Sequence, residues 1–193
     1  MIYLPLYSTK GELHVPEKSG LNQWNADGRT RNPNEVYIPI PKKIHRDLPR
    51  FFPERDTHFA LILPNGRILI AKVCQDNSKA LMSCPNSDLG EWILRDELEI
   101  EEGVIATYDM LISANIDSVC VRRLDIDNDV LMERGREEMI SILARRDHNI
   151  FNISGRNKPS DSEINRIFQT IIDNRLYYTI DVAPIGSYEN QFR

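Results

Sequence analysis

Short runs of β-branched and aromatic residues, separated by turn-forming residues, dominate residues 36–125. The clearest pair is His58–Leu63 and Arg67–Cys74, which flank the tripeptide Pro-Asn-Gly. Asn-Gly between two apolar runs predicts a β-hairpin with a type I′ turn, because both central residues of that turn need positive φ. Further strands are predicted at Val36–Pro41, Ala80–Cys84 and Asp117–Asp125. Short strands at this spacing favour a small barrel or a sandwich.

Helical patterns interrupt these strands and then replace them. Short helices are predicted at Glu91–Asp96 and at Thr107–Ala114, the second with Thr107 as N-cap and Asn115 as a left-handed stop. Val130–Arg146 is also helical in pattern. A last helix begins at Ser160, where Ser160 and Glu163 match a capping box. Its apolar residues form one stripe, Ile164, Ile167, Phe168, Ile171 and Ile172.

The patterns divide the chain into three parts. Residues 1–18 are weakly patterned and are interpreted as a lead-in segment. Residues 19–126 form the strand-rich body, and residues 127–193 form a mainly helical C-terminal extension. Within the body, Ser19–Asn34 has neither helical nor strand periodicity and is predicted to be a long extended loop.

The composition is that of a globular protein. The chain has 193 residues, of which 41% are apolar and 27% charged. No run of about 18 apolar residues occurs, so no membrane span and no membrane partner are predicted. The three cysteines include no C-x-x-C pair, which argues against a disulfide framework or a zinc site. A reducing cytoplasm is the expected setting.

Charge is unevenly distributed along the sequence. Gly28–Arg55 contains seven basic and three acidic residues, whereas Asn86–Asp109 contains eight acidic residues and one arginine. A chain with this division can offer phosphate a local positive field although its net charge is −5. The alternative is a solvated basic face without a partner.

Catalytic and metal-binding patterns are not found. The four histidines are scattered, and no Asp or Glu is followed two residues later by Lys, as a common nuclease metal site requires. No G-x-S-x-G or P-loop motif occurs. The sequence therefore predicts no catalytic residue, no metal site and no cofactor within this chain.

Planar polar and cationic side chains are concentrated in the loop Ser19–Asn34. Arg29 and Arg31 can each place two parallel donors on guanine, and Asp27 can accept from cytosine. Trp24 can contact a sugar or a thymine methyl, but anchoring of the loop is the favoured interpretation. The side chains that can pair with adenine are Asn22, Gln23, Asn25 and Asn32. A solvated loop of turn-forming residues explains the same composition, so both interpretations stay open at this point.

Three segments resemble a known family: Ser19–Pro41, Phe51–Asp56 and Ala80–Asn86. They are similar to the DNA-recognition domain of the BfiI-like restriction endonucleases, over Leu13–Asp125. The resemblance implies a B-three-like fold, which is a mainly β, seven-stranded open pseudobarrel with short helices. It also implies a partner, double-stranded DNA, whose bases an N-arm and a C-arm read in the major groove.

Carried onto this sequence, the N-arm corresponds to Asn22–Asn32. The C-arm corresponds to two loops, which contain Asn77, Ser78 and Lys79, and Ser83, Asn86, Ser87 and Asp88. Phosphate or groove contacts are expected from Lys42, Lys43 and Arg67.

In the family, catalysis belongs to a phospholipase-D-type nuclease half, which this sequence lacks. The resemblance therefore implies either a recognition domain separated from its enzyme or a fragment of a longer enzyme. A nuclease domain or subunit, or a helicase-like subunit, is the expected partner. Two alternatives stay open. In the first alternative, the chain is itself a metal-dependent hydrolase with carboxylates in Asp96–Asp109. In the second, it is a protein-interaction module with a basic surface strip.

Overall fold

The computed structural model describes residues 1–124 and 160–193, and seven strands in these ranges form one sheet. The strands are β1 (Ile2–Pro5), β2 (Ile38–Pro39), β3 (His58–Ile62), β4 (Ile68–Cys74), β5 (Ala80–Ser83), β6 (Ser118–Arg123) and β7 (Tyr177–Ala183). Their spatial order is β1-β6-β7-β3-β4-β5-β2. Neighbouring strands are antiparallel except β3 and β7, which run parallel. This nearly closed, mainly β sheet confirms the predicted seven-stranded pseudobarrel.

The hairpin between β3 and β4 is confirmed, but its turn type is corrected. Gly66 has φ +85°, whereas Asn65 is not among the described residues with positive φ. The Leu63 amide donates to the Arg67 carbonyl, which closes a three-residue loop. Pro64 explains the difference, because its fixed φ suits a type I turn that is followed by one left-handed residue.

Both ends of the described chain contribute strands that the sequence analysis did not predict. Ile2–Pro5, assigned to the lead-in segment, forms an edge strand against β6. Tyr177–Ala183, assigned to the mainly helical extension, lies between β6 and β3 in the interior of the sheet. Tyr178 there packs on Phe52 and Phe59 and donates to the Phe51 carbonyl at 2.8 Å. Residues 177–183 therefore complete the barrel.

The described helices are short, apart from one of 13 residues. They are α1 (Lys42–Asp47), α2 (Asp88–Gly90) with a π-helical continuation (Glu91–Glu97), α3 (Tyr108–Ala114), α4 (Asp161–Asp173) and α5 (Ser187–Asn190). Helix α1 was not predicted.

The predicted helix ends of α3 and α4 are confirmed. Thr107 accepts from the Met110 amide, Asn115 stops α3 at φ +55°, and Ser160 forms the capping box of α4. The predicted helix Val130–Arg146 lies outside the described residues.

A continuous apolar core fills the barrel and supports its loops. Trp92, in the π-helical segment, is 1% exposed and its indole N–H donates to Glu97 at 2.7 Å. All three cysteines are free and buried, and burial raises the pKa of the Cys84 thiol to about 12. Within residues 1–124 and 160–193, no helix has the length and apolar character needed to cross a bilayer.

Candidate nucleic-acid interface

The N-arm begins with a 3-10 helix, Gly20–Asn25, where the sequence analysis predicted an extended loop. Asn22 in this helix is completely buried. Its amide group donates to the carbonyls of Pro16 and Ala106, and its amide oxygen accepts from the Ala106 amide at 2.9 Å. The expectation that Asn22 reads adenine is therefore corrected, because the side chain fixes the arm to the body and does not reach the surface.

Trp24 and the polar residues around it form the outer part of this helix and the turn that follows it. Trp24 is half-buried and packs against the core, which agrees with the anchoring interpretation. Gln23 is half-buried, and Asn25 donates to the Glu17 carbonyl at 3.0 Å. Asp27 is highly exposed and pairs with Lys18 at 2.7 Å. An ion pair this exposed contributes little stability, so Asp27 is easily released to another partner.

Arg29 and Arg31 converge on one buried carboxylate, that of Glu35. Arg29 Nη1 and Nη2 donate to Glu35 Oε1 and Oε2 at 3.0 and 2.6 Å, a bidentate pair. Arg31 Nη1 donates to Glu35 Oε2 at 3.2 Å, and Arg31 Nε donates to the Ala26 carbonyl. We call Arg29, Arg31 and Glu35 the arginine clamp. It holds both guanidinium groups at one point of the arm.

Electrostatics stabilise the ionised form of Glu35 within the clamp. Burial by itself raises the pKa of this carboxyl group, because a charge is disfavoured away from water. The hydrogen bonds from Arg29 and Arg31 outweigh burial, so the pKa of Glu35 is lowered from its ordinary value. At neutral pH the clamp therefore combines one carboxylate with two guanidinium cations and carries a net positive charge.

The end of the arm is fixed to the π-helical segment and to α2. Arg95 Nε donates to Asn34 Oδ1 at 2.9 Å, and its Nη2 donates to the Pro33 carbonyl at 3.1 Å. Asn32, still exposed, accepts from the Asn34 amide through its side-chain oxygen. Gly90 lies so close that a Cβ atom there would be 1.9 Å from the Asn34 carbonyl oxygen. The arm is thus supported at both ends by the barrel.

Gly90→Ala is expected to displace the end of the arm and to lower the free energy of unfolding by about 1–3 kcal/mol, as overpacking does. The rigid Asn34 backbone has to move, because the new methyl group overlaps it. Urea unfolding measures the effect. Asp96→Ala, at an exposed site of the same π-helical segment, is the control and should change stability by less than about 0.5 kcal/mol. Equal stability of the two variants would contradict this packing.

One of the two predicted C-arm loops lies beside the N-arm. The Val36 amide donates to the Asn86 carbonyl, which joins the arm to the loop 84–87. Arg67, immediately before β4, pairs with Glu91 at 3.0 Å and with Asp88 at 3.6 Å. We call this region, residues 22–35 with Arg67 and residues 84–91, the arm end of the barrel.

Within this loop the structure separates surface residues from internal ones. Asn86, Ser87 and Asp88 are half-buried. Ser83 is 2% exposed, donates to the Pro85 carbonyl at 2.7 Å and accepts from the Leu89 amide at 2.9 Å. The expectation that Ser83 contacts DNA is therefore corrected, because its hydroxyl group stabilises the loop from inside.

The second predicted C-arm loop lies at the opposite end of β5, next to α1. Asn77 and Lys79 are exposed, and the Ser78 carbonyl accepts a hydrogen bond from His45 Nε2 at 2.8 Å. Lys43 pairs with Asp47 and lies over the Phe192 ring at 4.2 Å, whereas Lys42 is exposed. We call Lys42, Lys43 and residues 75–79 the α1 end. The predicted C-arm is thus divided between two places.

The residues that position the arm are not among those predicted from the sequence. Glu35, Arg95 and Gly90 are internal supports whose partners lie in other segments, and only Glu35 left a signal, an acid four residues after Arg31. In the described ranges, 1–124 and 160–193, no three His, Cys, Asp or Glu side chains are grouped as metal ligands.

The barrel and its arm match a known class of DNA-binding domain. Residues 3–124 match the family described as the NgoFVII C-terminal B3-like DNA-binding domain. This match covers more than half of the chain. The chain therefore belongs to this family, which consists of DNA-binding domains of restriction endonucleases. Among curated proteins, none matches the chain.

Proposed function

We propose that this chain recognises a specific double-stranded DNA sequence for a restriction endonuclease by reading base edges in the major groove. The observation that carries the proposal is the arginine clamp, because it holds two guanidinium groups on an arm that the barrel supports at both ends. Arginine with paired donors is the commonest reader of guanine O6 and N7.

The arm end supplies the base-reading side chains. Arg29 stays 37% exposed within the clamp, and Asp27 and Asn32 are exposed beside it. Gln23, Asn25, Asn86, Ser87 and Asp88 are half-buried at the same end and complete the surface. Together these residues offer donors and acceptors for adenine, guanine and cytosine edges.

The α1 end supplies phosphate contacts. Strand β5 has four residues and separates the two ends by about 13 Å, at about 3.3 Å per residue. The major groove of B-DNA is about 12 Å wide. We propose that Lys42 and Lys79 lie near the phosphates that border the groove when the arm is in it, where they contribute affinity without sequence preference.

We propose that phosphodiester cleavage is performed by a separate nuclease domain or subunit. The family description names a C-terminal DNA-binding domain, which supports this division of labour. A phospholipase-D-type nuclease half or a helicase-like subunit is the corresponding partner.

Selection of bound duplexes from a random pool tests the proposed recognition. The selected motif and a shuffled duplex are then compared by fluorescence anisotropy at two salt concentrations. Specific DNA-binding proteins prefer their sites by about 10³-fold or more, and a preference of this order is expected. Equal affinity for both duplexes would instead favour a protein-interaction module.

The proposal that a separate domain or subunit performs cleavage is tested with supercoiled plasmid that carries the selected motif. The purified chain is expected to leave this plasmid intact with and without Mg²⁺. Cleavage at substoichiometric protein would show that the chain is itself a hydrolase.

A further inference from the structure

Glu35 is placed where it controls the two arginines that the proposed function uses. We infer that Glu35 is a specificity-determining residue, which holds the donors of Arg29 and Arg31 in the DNA-free chain and thereby suppresses binding to non-specific DNA. The inference rests on the proposed function and adds a residue that does not itself contact a base.

The bidentate geometry makes Glu35 a competitor of guanine. Its two carboxylate oxygens accept from Arg29 Nη1 and Nη2 at 3.0 and 2.6 Å. Guanine O6 and N7 accept the same two parallel bonds from a guanidinium group. The carboxylate therefore occupies the Nη1–Nη2 edge of Arg29, one of the two edges through which a guanidinium group can bind guanine.

The burial of Glu35 makes release of the arginines costly. The Glu35 side chain is 7% exposed, and a buried carboxylate that loses its cationic partners is strongly disfavoured. A DNA contact that draws the arginines away has to offset this loss. The matched base edges of a specific site supply several contacts at once, whereas a random sequence supplies mainly phosphate contacts. The clamp thus disfavours binding to a random sequence more than binding to the specific site.

Other contacts hold the arm when the arginines are released. Asn22 fixes its start through three hydrogen bonds, and Arg95 and Gly90 fix its end. Substitution of Glu35 is therefore expected to change the availability of the arginines more than the course of the arm.

Glu35→Gln tests the inference. We expect the substitution to free one arginine for a phosphate contact. The affinity for shuffled duplex should then rise about eightfold at 0.1 M salt, and the slope of log K against log salt should steepen by about 0.9. The preference for the selected duplex is expected to fall, because binding to shuffled DNA increases more. Unchanged or weaker binding to shuffled duplex would overturn the inference.

Glu54→Gln is the matched control. It removes the same charge from the same basic segment at an exposed position that is not part of the clamp. Its effect on shuffled DNA measures the general contribution of net charge. If Glu35→Gln and Glu54→Gln change the salt slope equally, the inference is overturned.

A measurement on the unaltered protein does not depend on the folding of a variant. The ¹⁵N signals of the Arg29 and Arg31 Nε–H groups are followed during titration with shuffled and selected duplexes. We expect the signals to move only with the selected duplex, and equal movement with both would overturn the inference. If the unaltered chain shows no preference in anisotropy, it is the proposed function that fails.

Discussion

Replacing Arg29 and Arg31 together by lysine is expected to reduce the preference for the selected duplex at least about thirtyfold, since each bidentate arginine–guanine pair contributes about 1–3 kcal/mol of discrimination. Lysine keeps the positive charge beside buried Glu35 but cannot form the planar two-donor contact. Affinity for shuffled duplex and its salt dependence should therefore change little. Competition anisotropy with both duplexes measures the two effects separately.

The lysine variant avoids a complication of alanine substitution. Alanine would leave the Glu35 carboxylate buried without a cation and would destabilise the arm itself. Arg55→Lys, at an exposed arginine paired with Asp56, is the matched control and should retain full preference. If the double lysine variant also retains full preference, the arm does not read guanine through these residues.

A chain that ends at residue 126 is expected to lose cooperative folding. Such a chain lacks β7, which pairs with β6 over six residues and with β3 over three. It also exposes core that Tyr177, Tyr178 and Ile180 cover, and each such side chain contributes about 1.5–3 kcal/mol. Together with the lost hydrogen bonds between strands, the loss approaches the total stability of a typical domain, which is about 5–15 kcal/mol. Urea unfolding followed by circular dichroism measures the loss.

Tyr178→Phe in the full chain is the companion variant. It keeps the ring packed on Phe52 and Phe59 and removes only the hydrogen bond to the Phe51 carbonyl. A loss of about 1 kcal/mol is expected, with cooperative unfolding retained. A truncated chain that unfolds as cooperatively as this variant would show that residues 3–124 fold without β7.

Elements defined by neighbouring residues could be predicted from the sequence. The hairpin of β3 and β4, the N-cap Thr107 and the capping box at Ser160 each depend on residues a few positions apart. Pairings between distant segments could not be predicted in this way. Strand β7 has suitable β-branched and aromatic residues, but its partners His58–Ile62 and Ser118–Arg123 lie far away in the sequence.

The residue types correctly indicated the segments in which polar and cationic side chains concentrate. They did not indicate which of these side chains are exposed. The amide of Asn22 and the hydroxyl of Ser83 satisfy backbone groups inside the protein with the same atoms that would contact a base. Whether such a side chain forms an internal hydrogen bond or contacts a base depends on the tertiary structure around it. Glu35 could not be recognised as a buried support, because its burial depends on the barrel beneath the arm.

The parallel pairing of β3 with β7 also determines when the domain can form. Ala60 lies opposite Tyr177, so the pairing closes a very long loop and raises the contact order of the fold, which slows folding. During translation the interior of the sheet stays open until Ala183 has left the ribosome. Between the synthesis of β3 and that of β7, the nascent chain therefore exposes unpaired apolar strand edges, which are prone to aggregation.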